Sequence, residues 1–111
     1  HYGGAFPVWL SPVQAIVLPI TERNIAYANS LRVQLENEGI RAESDIRQET
    51  LKAKIRDAQI RKIPYMLVVG DREESGQSVA VRLRNGQDLG ALKLKDAISQ
   101  IKKAIADKIN V

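Results

Sequence analysis

Apolar positions follow two rhythms along this chain. Residues 14–20, QAIVLPI, are β-branched and apolar on both faces, which is how a strand covered on two sides reads, and Pro19 falls near its end, where a missing N–H costs little. Beyond Thr21, a candidate cap, Tyr27, Leu31 and Leu35 with Ala28 recur at the spacing of one helical face, and Gly39 supplies the left-handed residue that ends such a helix. Residues 40–45 predict a short, weakly apolar strand, hence an edge. The pattern turns helical again over about 49–62, with Leu51, Ile55 and Ala58 on the buried stripe and Ile60 off it. Ile63-Pro64 stops that helix, because a residue before proline is pushed out of the helical region. Tyr65 to Val69 is a continuous apolar run and a third, buried strand. A polar turn over 71–76 precedes the alternating residues 79–84, and Asn85-Gly86 is a type I′ hairpin signal into residues 88–94. Ile98, Ile101, Ile105 and Ile109 then line one face of a last helix, whose late lysines (Lys102, Lys103, Lys108) suit its negative end.

The predicted order is β-α-β-α-β-β-β-α. Right-handed crossovers place the first three strands parallel with the first in the middle, and the hairpin extends the sheet beyond the third. The expected fold is a three-layer α/β/α sandwich: a mixed five-stranded sheet in the order 2-1-3-4-5, strand 4 antiparallel, with three helices. Residues 1–13, HYGGAFPVWLSPV, hold two glycines and two prolines around Phe6, Trp9 and Leu10. They read as a connector docked on a domain spanning 14–111, and the abrupt start suggests a piece of a longer chain.

At 111 residues the chain suits one domain. Its apolar content is aliphatic, with one Trp, one Phe and three Tyr, which argues against stacking bases on rows of aromatics and for reading polar edges. Seventeen Lys and Arg against thirteen Asp and Glu leave a net charge of +4 and a pI near 9.6. That points to an anionic partner, nucleic acid ahead of membrane. The absence of cysteine removes disulfides and thiolate metal sites and permits a reducing cytosol. No apolar run approaches the roughly 20 residues of a membrane helix, and the first residues lack the basic region of a secretory signal.

Candidate chemistry is sparse. Gly3-Gly4 precedes any strand and no phosphate-loop fingerprint is present. His1, the single histidine, stands without Cys or acidic neighbours and reads as neither metal ligand nor catalytic base. Asp71, Glu73 and Glu74 could share a divalent cation or act as acid and base, against the plainer reading of a solvated turn. Asp71 sits where response regulators carry a phosphorylated aspartate. Those proteins also need acidic residues after the first strand, where this chain has Ile20-Thr21-Glu22, and here the third strand is expected to lead into a hairpin. The basic helix (Lys52, Lys54, Arg56, Arg61, Lys62) carries more. Lys52 and Arg56 stand four apart on a face next to the buried stripe. Arg82 on a neighbouring strand and Glu73 at the turn beside it would add an arginine fork and a carboxylate, which match the edge of a base, guanine above all. A merely solvated basic face is the alternative.

Four segments are familiar in kind: Phe6-Pro7-Val8-Trp9-Leu10-Ser11-Pro12-Val13-Gln14; Ile46-Arg47-Gln48-Glu49; Lys54-Ile55-Arg56; and Ile63-Pro64-Tyr65-Met66-Leu67-Val68-Val69-Gly70-Asp71. Together they resemble the C-terminal anticodon-binding domain of bacterial-type threonyl-tRNA synthetases, over essentially the whole chain. The last block is shared with prolyl, glycyl and histidyl enzymes of the same subclass. The opening segment and the Lys-Ile-Arg helix point to the threonyl enzyme. The resemblance implies a domain that grips the anticodon loop of threonine tRNA, with base-reading positions at Gln48, Arg56, Glu73 and Arg82; the basic helix adds Lys52 as a further expected tRNA contact, indifferent to sequence. Gln48 stands where many members carry asparagine, an amide of shorter reach. It further implies a parent threonine--tRNA ligase, cytoplasmic and homodimeric, whose ATP, magnesium and zinc sites lie outside this fragment; the fragment itself is expected to be monomeric, without cofactor, metal or catalytic residues, and joined to the catalytic domain of the same chain. Rival readings are a protein-interaction module on the same fold, the corresponding domain of a prolyl or glycyl sister enzyme, and a phosphoacceptor enzyme using Asp71.

Overall fold

Every residue of β1 (Ala15–Pro19) and β3 (Tyr65–Val69) is buried, as runs apolar on both faces require. The computed structural model describes residues 5–109 and 111, so His1 and Gly3-Gly4 lie outside the described residues. β1 pairs in parallel with both β2 (Ala42–Ser44) and β3. β3 pairs antiparallel with β4 (Ser78–Leu83), which pairs antiparallel with β5 (Asp88–Lys93). The sheet order is β2-β1-β3-β4-β5, the mixed topology that the sequence predicts.

Strand parity sorts the core into two layers. Ala15, Val17, Tyr65, Leu67, Val69, Val79 and Val81 face α1 (Ile25–Asn37) and α4 (Leu94–Ala106), which bury Leu31, Leu35, Ala97, Ile101 and Ala104 against them. Ile16, Leu18, Met66 and Val68 face the other way, onto α2 (Leu51–Ile60). One short helix therefore covers that second face, and β4 is left there with Ser78, Ala80 and Arg82 only half-buried.

Several local expectations change. Residues 71–76 form not a turn but a short helix, α3 (Asp71–Gly76), so β3 leads into a helix before the hairpin. Glu73 Oε1 accepts the Gly70 N–H at 2.8 Å, and acidic residues in a first turn suit the positive helix end; the charges that read as a turn are helix-starting signals. The hairpin is not type I′. Gly86 has φ +94 while Asn85 is not among the residues with positive φ. The Gly86 N–H donates to Leu83 O at 2.9 Å and the Leu83 N–H to Gln87 O at 2.9 Å, a three-residue loop with the glycine in the left-handed place. On α4 the buried stripe is Ala97, Ile101 and Ala104, with Ile98 and Ile105 at its margin and Ile109 exposed. Around 5–13, Val8 is fully buried, Gln14 Nε2 donates to Val8 O at 3.0 Å, and the Lys108 ammonium lies 4.7 Å from the centre of the Trp9 ring.

Candidate nucleic-acid interface

α2 begins at Thr50, whose hydroxyl accepts the Ala53 N–H at 3.1 Å. One flank of it is tied toward β2. Arg61 reaches Glu43 at 3.1 Å, and Arg47 bridges Asp45 at 2.7 Å and Asp57 at 2.9 Å. The guanidinium of Arg47 holds the Asp45 carboxyl below the usual carboxylate range. Lys52 falls on the opposite flank, toward β4. Lys54 and Ala58 are the buried residues of α2, with Leu51 and Ile55 only partly covered. At about 100° per residue this draws the stripe away from Arg56, which stands on the outer shoulder of the helix and not beside the stripe. Lys54, counted with the basic face in the sequence, belongs to the interior.

Arg82 lies on the α2 side of the sheet, opposite Met66 of β3. The β4–β5 register shifts between Val81 and Arg82, a bulge of the kind that re-aims a side chain. The side chains of Lys52, Arg56 and Arg82 make no hydrogen bond or ion pair among the described residues. Arg82 stands on the part of the second face that α2 leaves open, and Lys52 and Arg56 on exposed sides of the helix.

Glu73 is placed elsewhere. α3 follows the end of β3, about 13 Å of strand rise from the Met66 opposite Arg82, so Glu73 and Arg82 are not immediate neighbours. Its helix is held from the other side by Asn24, which is 1% exposed. Asn24 Nδ2 donates to Asp71 Oδ1 at 3.0 Å and Glu74 Oε1 at 3.1 Å, and Arg23 pairs with Asp71 at 2.7 Å. Arg23 and Asn24 together hold the Asp71 carboxyl below its ordinary range, which makes it a structural anchor.

Gln48 is in a third place, where the loops after β1 and β2 meet the start of α2. Its Nε2 donates to Glu22 Oε1 at 2.6 Å. Both border a hollow of about 400 Å³ that is also lined by Ile20, Ile25, Ile46 and Lys54. The hollow lies outside the carboxyl ends of β1 and β2, beside the start of α2. The structure thus sets Arg82 on the open part of the sheet face, Arg56 on the outer shoulder of α2, and Gln48 and Glu73 at the strand ends. The sequence reading missed Glu22, Asn24 and the buried Lys54. Only Lys54 left a signal, since it stands four before Ala58 on the apolar stripe. No group of three His, Cys, Asp or Glu among the described residues could hold a metal ion, and no helix is long and apolar enough to cross a membrane.

Comparison with known proteins agrees with this fold. The family profile described as "Anticodon binding domain" matches residues 14–104. A threonine--tRNA ligase of Acetivibrio thermocellus is 50% identical over 110 residues, 99% of this chain and 17% of the ligase. One from Halorhodospira halophila is 51% identical over 106 residues, 96% of the chain and 17% of the ligase. The chain therefore spans about a sixth of the length of these curated relatives. Among solved structures, the RNA binding domain of threonyl-tRNA synthetase from Cryptosporidium parvum superposes with a TM-score of 0.89 at 36% identity, over 94% of this chain and 26% of that one. Prolyl-tRNA synthetase of the same organism shares the fold at 24% identity, with a TM-score of 0.82 over 95% of this chain and 23% of that one.

Proposed function

This chain belongs to the anticodon-binding domain family, and on that premise we propose that it reads the anticodon loop of threonine tRNA for a threonyl-tRNA synthetase. The observation that carries the reading is the set of basic side chains without a carboxylate partner among the described residues: Arg82 on the half of a sheet face that α2 leaves open, and Lys52 and Arg56 on exposed sides of that helix. Guanidinium forks that no carboxylate occupies, on a chain of net charge +4, are suited to an anionic strand.

In this reading the loop bases leave their stack and present their Watson–Crick edges. Arg56 and Arg82 donate to base oxygens and ring nitrogens. Glu73, with one carboxylate oxygen committed to Gly70, offers the other to imino and amino hydrogens of guanine. Gln48, released from Glu22, has both amide functions for a neighbouring base, and Lys52 meets phosphate. Each good bidentate pair discriminates by about 1–3 kcal/mol. The parent's threonine activation and transfer to tRNA, with its ATP, magnesium and zinc, belong to segments outside residues 1–111. So does the homodimer contact of a cytoplasmic parent, and residues 1–13 join this domain to the catalytic part.

Titration of the chain with a threonine anticodon stem-loop, and with one whose middle guanine is replaced, tests the proposal. The natural loop should bind about tenfold or more tighter, and neutralising three phosphates would lower log K by about 2 per tenfold rise in salt. Equal affinity for the two loops would overturn it.

A further inference from the structure

Lys54 is the one charged side chain of α2 that is buried, at 4% exposure. Its Nζ donates to the carbonyl oxygen of Pro19 at 3.2 Å. An ammonium group has three N–H bonds to place, and among the described residues Pro19 O is its hydrogen-bond partner. Lys54 forms no ion pair among the described residues, and Asp45, whose carboxyl feels its charge, gives Oδ1 to Arg47 Nε at 2.8 Å and Oδ2 to Arg47 Nη2 at 2.7 Å. A buried cation with spare donors is costly unless a partner completes it.

The spare donors border the hollow of about 400 Å³ at the end of β1. Ile20, Ile25 and Ile46 line it with Thr21, Arg47 and Glu49, and it is bordered by Glu22 and Gln48, joined at 2.6 Å. The chemistry of this enclosure is one-sided. An ammonium can only donate, and a carboxylate can only accept. A base edge that met both would have to present an oxygen acceptor next to an N–H donor. Guanine (O6 and N1–H) and uracil (O4 and N3–H) both do so. Adenine and cytosine place an amino group where that oxygen would be, and an ammonium cannot accept from it.

We propose that Lys54 is a specificity-determining residue, donating to the keto oxygen of a loop base that enters this hollow while Glu22 exchanges Gln48 for the imino N–H of the same base. The inference rests on the anticodon-reading proposal and adds to it a selection of keto over amino bases. Threonine anticodons end in guanine followed by uracil, so two bases carry the required edge, and the experiment separates them.

Three stem-loops are titrated against the unaltered chain: the natural loop, one with 2-aminopurine for the middle guanine, which removes O6 and with it the N1–H, and one with 2-pyrimidinone for the last uracil, which removes O4 and with it the N3–H. One of the two analogues should bind about tenfold or more weaker, naming the base. Lys54→Met should weaken the natural loop and shrink the penalty for that analogue alone, leaving only the part that belongs to Glu22. A merely structural lysine would weaken all three loops equally and keep the analogue ratios, which would overturn the inference. Should Lys54→Met fail to fold by circular dichroism, Glu22→Gln at an exposed position decides. It should weaken the natural loop by about tenfold, since a neutral amide replaces the carboxylate acceptor; unchanged affinity would overturn the scheme. If the unaltered chain prefers the natural loop over one with a replaced middle base yet penalises neither analogue, Lys54 is not a reader while the anticodon reading stands. If it shows no base preference at all, the anticodon reading itself falls.

Discussion

Asn24 is the side chain on which the position of Glu73 depends, and Asn24→Ala shows how much. The carboxamide, 1% exposed, accepts from the Thr21 N–H at 3.3 Å and hydroxyl at 2.9 Å, and donates to Asp71 at 3.0 Å and Glu74 at 3.1 Å. Alanine deletes all four. The Thr21 groups are exposed and water replaces their bonds at little cost. The two bonds to carboxylates are charge-assisted, at about 1.5–3 kcal/mol each when shielded. Asp71 has 63% of its side chain exposed, so its share falls to the low end. A small void is added, and the sum is about 3–5 kcal/mol, against a total stability of about 5–15 kcal/mol for a domain of this size. Urea unfolding should show a lower midpoint at unchanged slope. With α3 loosened from the β1–α1 loop, binding should also lose its preference for the middle guanine more than its overall strength. A loss under about 0.5 kcal/mol would refute the bonding argument, and full selectivity at reduced stability would refute the coupling to Glu73. Asn24→Asp sharpens the test. It sets a third carboxylate against Asp71 and Glu74, so it should destabilise more than alanine near neutral pH and recover as the medium is acidified.

Three further outcomes follow from the same geometry. Arg56→Ala should flatten the preference for guanine, whereas Lys52→Ala should weaken every loop alike and reduce the salt slope by about 0.7, both read by titration at several salt concentrations. Asp45 has a folded-state pKa lowered chiefly by its hydrogen bond to Arg47, so its stabilising contribution is complete above the unfolded-state value and drains away as pH falls through the folded-state value. Urea midpoints should therefore drop below about pH 4, and less so in Asp45→Asn. Leu18→Ala removes a fully buried side chain between β1 and α2 and should cost about 3–5 kcal/mol in the same unfolding assay, failing which α2 is not packed as described.

The fold was legible because its central strands carry one unambiguous signal each. Ala15–Pro19 and Tyr65–Val69 have no polar side chain to misplace, and the Ile63-Pro64 step fixed where a helix had to give way to a strand. What escaped was decided by local competition. Asp71, Glu73 and Glu74 have the composition of a solvated turn, and they became helical because Glu73 folds back on the Gly70 N–H while Asn24, nearly fifty residues earlier, takes hold of Asp71 and Glu74. No window of sequence contains that partner. Asn85-Gly86 named a hairpin rightly and its turn type wrongly, since the pair fits either as the centre of a two-residue loop or, as here, as the last residues of a three-residue one. Lys54 was counted by its charge when its spacing to Ala58 already placed it inside.

The candidate site was less legible than the fold, and the reason lies in the layering. A ten-residue helix is about 15 Å long, enough to shield the β1 and β3 residues Ile16, Leu18, Met66 and Val68 but not to reach across a five-stranded sheet. The hairpin adds β4 and β5 beyond the reach of α2, while α4 covers those strands on the opposite face only. Alternation along β4 then fixes the consequence. Val79, Val81 and Leu83 turn to the covered face, and Ser78, Ala80 and Arg82 turn to the open one. A hydrophobic residue at position 82 would leave an apolar shelf in water. An arginine there makes that shelf basic, next to a helix with Lys52 on its near flank and Arg56 on its outer shoulder, both without a side-chain partner among the described residues, and with its other flank neutralised by Glu43, Asp45 and Asp57. The distribution of carboxylates, more than the count of basic residues, sets which side of α2 meets an anionic strand. A charge swap tests this: Asp57→Lys, which adds positive charge on the paired flank, should raise affinity for stem-loops far less than Gln59→Lys, which adds it toward the open shelf, and equal gains by titration would refute the assignment of the two flanks.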